Sequence, residues 1–211
     1  MRNKFLFCLK ISLLVAAVVF FIYIIQKDFR RAQLRTLNYC MPSSYVDLLG
    51  SHQGAGKKTL QPYIRYYHLV TTITKGNEDA YAVLGVCYSR MGQQGKALEF
   101  FKRAVTPHSF WALYNMGVIY LKQGNYVAAD KVFSQAGAIP PQEALKAMMQ
   151  SKVYMDIAQA SSLSIEGLSN QLQQGYGQAY QLLALSRQLK ANTDASVEIE
   201  QLIRGIDVQV F

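Results

Sequence analysis

Apolar positions divide the chain into one continuous run and a longer part in which they recur with a helical period. From Phe5 to Ile25 the chain is predominantly apolar for 21 residues, with Lys10 as its one charged interruption. After residue 60, apolar residues return every three or four positions, the spacing that gathers them on one face of a helix. This pattern predicts helices from Leu60 to Thr74, Gln142 to Ala160, Ile165 to Leu172, Ala179 to Leu189 and Val197 to Ile206. Between them, Glu78 to Val105 and Phe110 to Pro141 match one another at an offset of 32 residues. Leu84 falls on Met116, Gly85 on Gly117, Tyr88 on Tyr120, Gly92 on Gly124, Ala97 on Ala129, Phe101 on Phe133 and Ala104 on Ala136. Self-similarity at such a period, with helical patterning inside each unit, marks a stacked array of helix–turn–helix units. Gly85 and Gly117 permit close helix packing, Gly92 and Gly124 stand where a chain leaving a helix favours positive φ, and Phe101 and Phe133 fill the gap. No strand alternation is visible in the second half of the chain.

These residues resemble the tetratricopeptide repeat. The first unit reads Leu84-Gly85, Tyr88, Ala97, Phe101 and Ala104, and the second Met116-Gly117, Tyr120, Ala129, Phe133, Ala136 and Pro141. Tyr81 and Leu113 stand where the family favours tryptophan, Pro107 comes early, and each unit is about two residues shorter than the usual ~34. The resemblance covers roughly a third of the chain. Tyr63, Tyr67 and Val70 are spaced like Ala97, Phe101 and Ala104, so the Leu60 to Thr74 helix is expected to be the second helix of a degenerate leading repeat. The helices after Pro141 are expected to form two weaker hairpins, with Ser151 and Ala184 as small contact residues, because terminal solenoid units face water on one side.

As a helix, the run from Phe5 to Ile25 would be about 32 Å long, enough for a hydrocarbon core of about 30 Å. Arg2 and Lys4 could also form the positive region of a signal peptide. Against cleavage, no small-x-small site follows the apolar core, and Tyr23, Ile24, Ile25, Gln26 and Lys27 are bulky or charged. The run therefore reads as an uncleaved signal anchor of a single-pass membrane protein. Its orientation stays open: Lys27, Arg30, Arg31 and Arg35 outnumber Arg2 and Lys4, yet a very short basic tail commonly stays inside.

The net charge of +9 looks like a nucleic-acid signal until it is divided. Residues 1–35 carry seven Lys/Arg against one acid, and the rest carries fifteen against twelve. The excess thus flanks the apolar run, which reads as membrane flanking and not as nucleic-acid binding. Cys8, Cys40 and Cys87 are widely separated and suggest neither a disulfide nor a metal site. His52, His68 and His108 have no acid or cysteine at ligand spacing. Gly54-Ala55-Gly56-Lys57-Lys58-Thr59 falls short of a phosphate loop, since Lys58 follows Gly-Lys and Ser51 stands where the first glycine is required. No serine lies in a hydrolase elbow. The expectation is a protein without catalytic residues, cofactor or metal.

The family resemblance implies a concave groove lined by the first helix of each hairpin. At groove-facing positions stand Asp79, Ala82, Val86, Ser89 and Arg90, then Trp111, Tyr114, Asn115, Val118, Leu121 and Lys122, with Leu145, Met148 and Met149 extending the surface. Some tetratricopeptide domains clamp a terminal carboxylate with lysine, asparagine and arginine. Here Ala82, Val86, Leu145 and Met149 occupy those positions and only Asn115 matches, so the resemblance does not extend to that clamp. What remains is an aromatic and aliphatic surface suited to an apolar or amphipathic segment. The expected protein-binding residues are Val86, Arg90, Trp111, Tyr114, Asn115, Val118, Leu121 and Lys122. Equally open is burial of Trp111 and Tyr114 by the chain's own N-terminal helix.

The sequence thus predicts an all-α protein, an N-terminal single transmembrane helix followed by a short tetratricopeptide-like solenoid. Its segments are a tail at 1–4, an anchor at 5–25, a basic juxtamembrane segment and loop at 26–59, a leading repeat helix at 60–77, two repeats at 78–141 and two degenerate hairpins at 142–211. The expected role is a membrane-anchored adaptor binding a protein or peptide partner. The alternative is a structural subunit of a larger membrane or envelope assembly, of secretion, pilus or respiratory-complex type.

Overall fold

Three of the described helices start where Asn77, Asn125 or Ser151 caps them, and two stop where Gly92 or Gly124 reverses the backbone. The computed structural model describes residues 18–27, 57–74, 77–191 and 197–210, and its backbone divides into two units, 1–41 and 42–211. In the first unit, residues 18–27 are helical, and the large apolar side chains from Val18 to Ile25 are all exposed. Among the described residues no helix is long and apolar enough to cross a membrane. The expected anchor begins at residue 5, and its part at 5–17 lies outside the described residues, as does most of the 26–59 segment.

The described residues of the second unit form helices only: α1 (Lys57–Thr74), α2 (Glu78–Arg90), α3 (Gln94–Ala104), α4 (Phe110–Lys122), α5 (Tyr126–Ala138), α6 (Pro141–Gln150), α7 (Lys152–Ala160), α8 (Ile165–Ala191) and α9 (Val197–Gly205). Asn77 caps α2 by accepting a 2.9 Å hydrogen bond from the Ala80 amide, and Asn125 does the same for α5 from Ala128 at 3.1 Å. Such caps satisfy amides that the first helical turn leaves without partners.

The pairs α2–α3 and α4–α5 repeat one geometry. Gly92 has φ +75° and Gly124 φ +72°. The same two turn bonds recur at each, Gly92 N to Ser89 O and Gln93 N to Tyr88 O in the first pair, Gly124 N to Leu121 O and Asn125 N to Tyr120 O in the second, all 2.9–3.0 Å. This is the closure of a helix end through a left-handed residue. A Cβ on Gly85 would stand 2.6 Å from the Phe101 ring, and one on Gly117 would stand 2.6 Å from the Phe133 ring. Both rings are wholly buried, as are Ala97, Ala129 and Ala136. Each aromatic therefore occupies the volume that its partner glycine vacates, and the two helices close over it. α1 packs on α2 through the buried Tyr63, Tyr67 and Val70.

After Pro140 the chain departs from the expected hairpins. The single helix expected from Gln142 to Ala160 is broken at Ser151, whose ψ of 116° ends α6 and whose hydroxyl caps α7 through the Tyr154 amide at 3.2 Å. The helices expected at Ile165 to Leu172 and Ala179 to Leu189 are one 27-residue helix, α8, about 40 Å long. Gly175 and Gly177 keep negative φ, and with no proline between them nothing forces a break. α8 packs antiparallel along α5: Tyr176 donates to Ile139 O at 2.6 Å, Tyr180 to Gly137 O at 3.2 Å, and Arg187 and Lys190 pair with Asp130 at 3.0 and 3.2 Å. α7 packs against α2 instead of continuing the array. The part after Pro141 thus folds back onto the repeats.

Candidate protein-binding groove

Both groove helices are buried on all sides. In α2 every residue from Ala80 to Cys87 is buried, and in α4 every residue from Phe110 to Ile119. A helix apolar all round, as α4 is (Phe-Trp-Ala-Leu-Tyr at its start), needs cover on each face. α3 and α5 cover one side, and the concave side is covered by α7, α8 and the residues after α9.

Trp111 meets α8 at Gly175, where an added Cβ would lie 2.5 Å from the indole. Phe110 beside it stacks on Tyr176 with centroids 4.1 Å apart. Tyr114 is 1% exposed and donates from its hydroxyl to Gln178 Oε1 at 2.9 Å. Burial, reinforced by the Asp207 carboxylate, pushes its phenol up to about 12. Val86, Val118 and Leu121 are buried in the same floor.

Asn115, also 1% exposed, makes the most informative contact. Its Nδ2 donates to the Gln209 carbonyl at 2.6 Å, and its Oδ1 accepts from the Gln209 amide at 2.8 Å. One side-chain amide thereby satisfies both main-chain groups of one residue. Residues 206–210 leave α9 without forming further helix or strand, and Val208 and Val210 are buried on either side of Gln209, the alternation of an extended chain. Asp207 lies near Arg90 and Lys122. Burial lowers the pKa of Arg90, and partial desolvation lowers that of Lys122, whose side chain is exposed at the rim; Asp207 opposes both shifts.

The groove expected to stand open is therefore filled by the chain itself. All eight expected residues lie on α2 and α4, but Val86, Trp111, Tyr114, Asn115, Val118 and Leu121 are buried. The covering element is also different from the one anticipated: Trp111 and Tyr114 are buried by α8, from the opposite end of the chain to the N-terminal helix. Met148 is buried, Leu145 is half-buried and Met149 points out, because α6 packs on α7 and α8 instead of extending the groove. Sequence reasoning missed Gly175, Tyr176, Gln178, Asp207 and Gln209. The all-round apolarity of α4 was the signal for a cover, although nothing local names the covering residues.

A cleft of about 550 Å³ runs beside the segment, lined by Tyr114, Leu182, Leu185, Leu202, Asp207 and Gln209. A smaller one, about 240 Å³, lies at the starts of α2 and α4 among Asp79, His108, Trp111, Met148 and Tyr154. Among the described residues no group of His, Cys, Asp and Glu is placed to hold a metal ion.

Comparison with known families adds to this geometry. A tetratricopeptide-repeat profile matches residues 78–106, which are α2 and α3, and a second matches residues 112–145, from α4 into α6. Comparison with curated proteins and with solved structures returned no match. Through residues 78–145 the chain belongs to the tetratricopeptide-repeat superfamily.

Proposed function

We propose that this protein is a non-catalytic, membrane-anchored adaptor that holds a segment of a partner protein in the groove formed by α2 and α4. The observation that carries the reading is the Asn115 amide bound to both main-chain groups of Gln209. A groove that grips backbone in this way takes up a chain segment without reading the residue at the grip, which suits a protein-binding surface. Tetratricopeptide repeats as a class suggest an interaction role. The membrane part rests on the apolar run from Phe5 to Ile25 and on the exposed Val18, Val19, Phe20, Phe21 and Ile22 side chains. Basic residues on both flanks support it as an anchor.

Two measurements test the reading. The full chain should remain with membranes after an alkaline wash; recovery in the supernatant, shortened at its start, would replace the anchor with a cleaved signal. Purified from its native membranes in mild detergent, the chain should carry a protein whose retention falls at least tenfold on Asn115→Ala. Undiminished retention with an intact fold would move the binding site off this groove. A stoichiometric complex that survives every groove variant would favour the structural-subunit role.

A further inference from the structure

We propose that the groove selects short non-helical segments of one chemistry, an acidic residue followed one and three positions later by aliphatic residues, and that residues 206–210 are a built-in competitor which such a partner displaces. The inference rests on the adaptor reading and specifies its ligand. Asn115 touches only main-chain atoms of Gln209, so the grip itself carries no sequence preference. Selectivity has to come from the flanking positions. One residue before and one after the gripped residue, Val208 and Val210 are buried, so a polar side chain at either would be desolvated without a partner. Two residues before it, Asp207 lies near Arg90 and Lys122, where a carboxylate is favoured and a second cation is disfavoured. Gln209 itself is only half-buried, which leaves that position free to vary.

Two features make the chain's own segment replaceable. Among the described residues it adds no main-chain bonding to the domain beyond the Asn115 pair and one turn bond from the Ile206 amide to Ile203 O. Its fit is also incomplete: with the segment in place, Trp111 Nε1 and Gln171 Oε1 are buried without a hydrogen-bond partner among the described residues. A partner able to satisfy one of them would bind more tightly than the internal segment. The cleft along Leu182, Leu185 and Leu202 borders the segment and offers an incoming chain a place to start.

The test uses the full chain in mild detergent and a fluorescent peptide with the sequence of residues 204–211. By anisotropy the peptide should bind the chain lacking residues 206–211 at least tenfold more tightly than the intact chain. Peptides carrying Asp207→Lys or Val208→Asp should lose at least tenfold, and Lys122→Glu in the protein should recover part of the binding of the lysine peptide. Where the shortened chain loses its helix content, an intact chain with a protease site inserted at residues 192–196 and cut after purification replaces it, and the labelled peptide should then exchange for the released piece. No binding to a folded, open groove, or equal binding of all three peptides, overturns the proposal. An intact chain that is dimeric by light scattering, and monomeric once residues 206–211 are deleted, would assign the segment to a second copy and overturn the internal competitor. Failure of the peptides alongside Asn115-dependent retention of the native partner would reject the ligand chemistry and leave the adaptor role standing. Peptide binding alongside Asn115-independent retention would do the reverse.

Discussion

Gly175→Ala should lower stability while Gly177→Ala, two residues along the same helix, should raise it. A Cβ at residue 175 would stand 2.5 Å from Trp111 Cη2, 3.0 Å from Cζ3 and 3.1 Å from Phe110 Cε1. Ordinary carbon–carbon contact is about 3.5–4.0 Å, so roughly 1 Å of movement is needed. The indole cannot swing away, because Phe110 and Tyr114 hold it edge-on at centroid distances of 5.0 and 5.6 Å. Overpacking of this kind costs about 1–3 kcal/mol. At residue 177 an added Cβ meets nothing within 4 Å, and the position is exposed. Both substitutions gain the same helix propensity, up to about 1 kcal/mol. Propensity therefore cancels in the difference between the variants, which isolates packing at about 1–3 kcal/mol. Urea unfolding of the full chain in detergent, followed by fluorescence of its single tryptophan, measures that difference. If the two variants unfold at the same midpoint, α8 does not rest on Trp111, and the account of a self-covered groove fails.

Gly92→Ala and Gly124→Ala should each cost about 1–2 kcal/mol, from backbone alone, since both have positive φ and open space around them; unchanged urea midpoints would contradict the turn geometry. Burial, aided by the cations Arg103 and Lys96, holds the His68 pKa below its usual 6.5. Its contribution to stability is thus complete above pH 6.5. It declines on acidification through the window below 6.5, where the unfolded chain takes up a proton that the folded chain refuses. Denaturation at stepped pH should show that decline, flattened in His68→Gln; an unaltered slope would rule His68 out as its source. Cys87 is fully buried and its thiol is pushed up to about 12, first by burial. Alkylation read by mass spectrometry should reach it only as fast as the domain opens, and rapid labelling of the folded chain would show that α2 is exposed.

The repeats were legible because their constraints are local. Gly85 answers Phe101, Gly117 answers Phe133, and Gly92 and Gly124 reverse the chain within their own turns, so each requirement is written within about twenty residues and then written again. The residues expected on the groove helices, Trp111 and Asn115 among them, came from the family resemblance that those repeats carry. Two local signals misled. The apolar pattern separated the helices expected at Ile165 to Leu172 and Ala179 to Leu189, whereas α8 runs through both, and its Gly175 is required by the close approach of Trp111. Conversely, the helical pattern from Gln142 to Ala160 concealed the break at Ser151, whose extended backbone ends α6 and whose hydroxyl caps α7.

Sequence by itself determined the all-helical class, the two repeats and the turn glycines, since helix period and glycine conformation are properties of neighbouring residues, and the resemblance carried by those repeats implied which helices line the groove. Tertiary structure alone decided that the groove is closed. Asn115 and Gln209 are 94 positions apart, and Trp111 and Gly175 meet across three intervening helices. Nothing in a helical period states which distant segment will cover an apolar face. α4, apolar on every side, demanded a cover, and the fold supplied it from α8 and residues 206–210 because they could bury Trp111, stack on Phe110 and satisfy the Asn115 amide together.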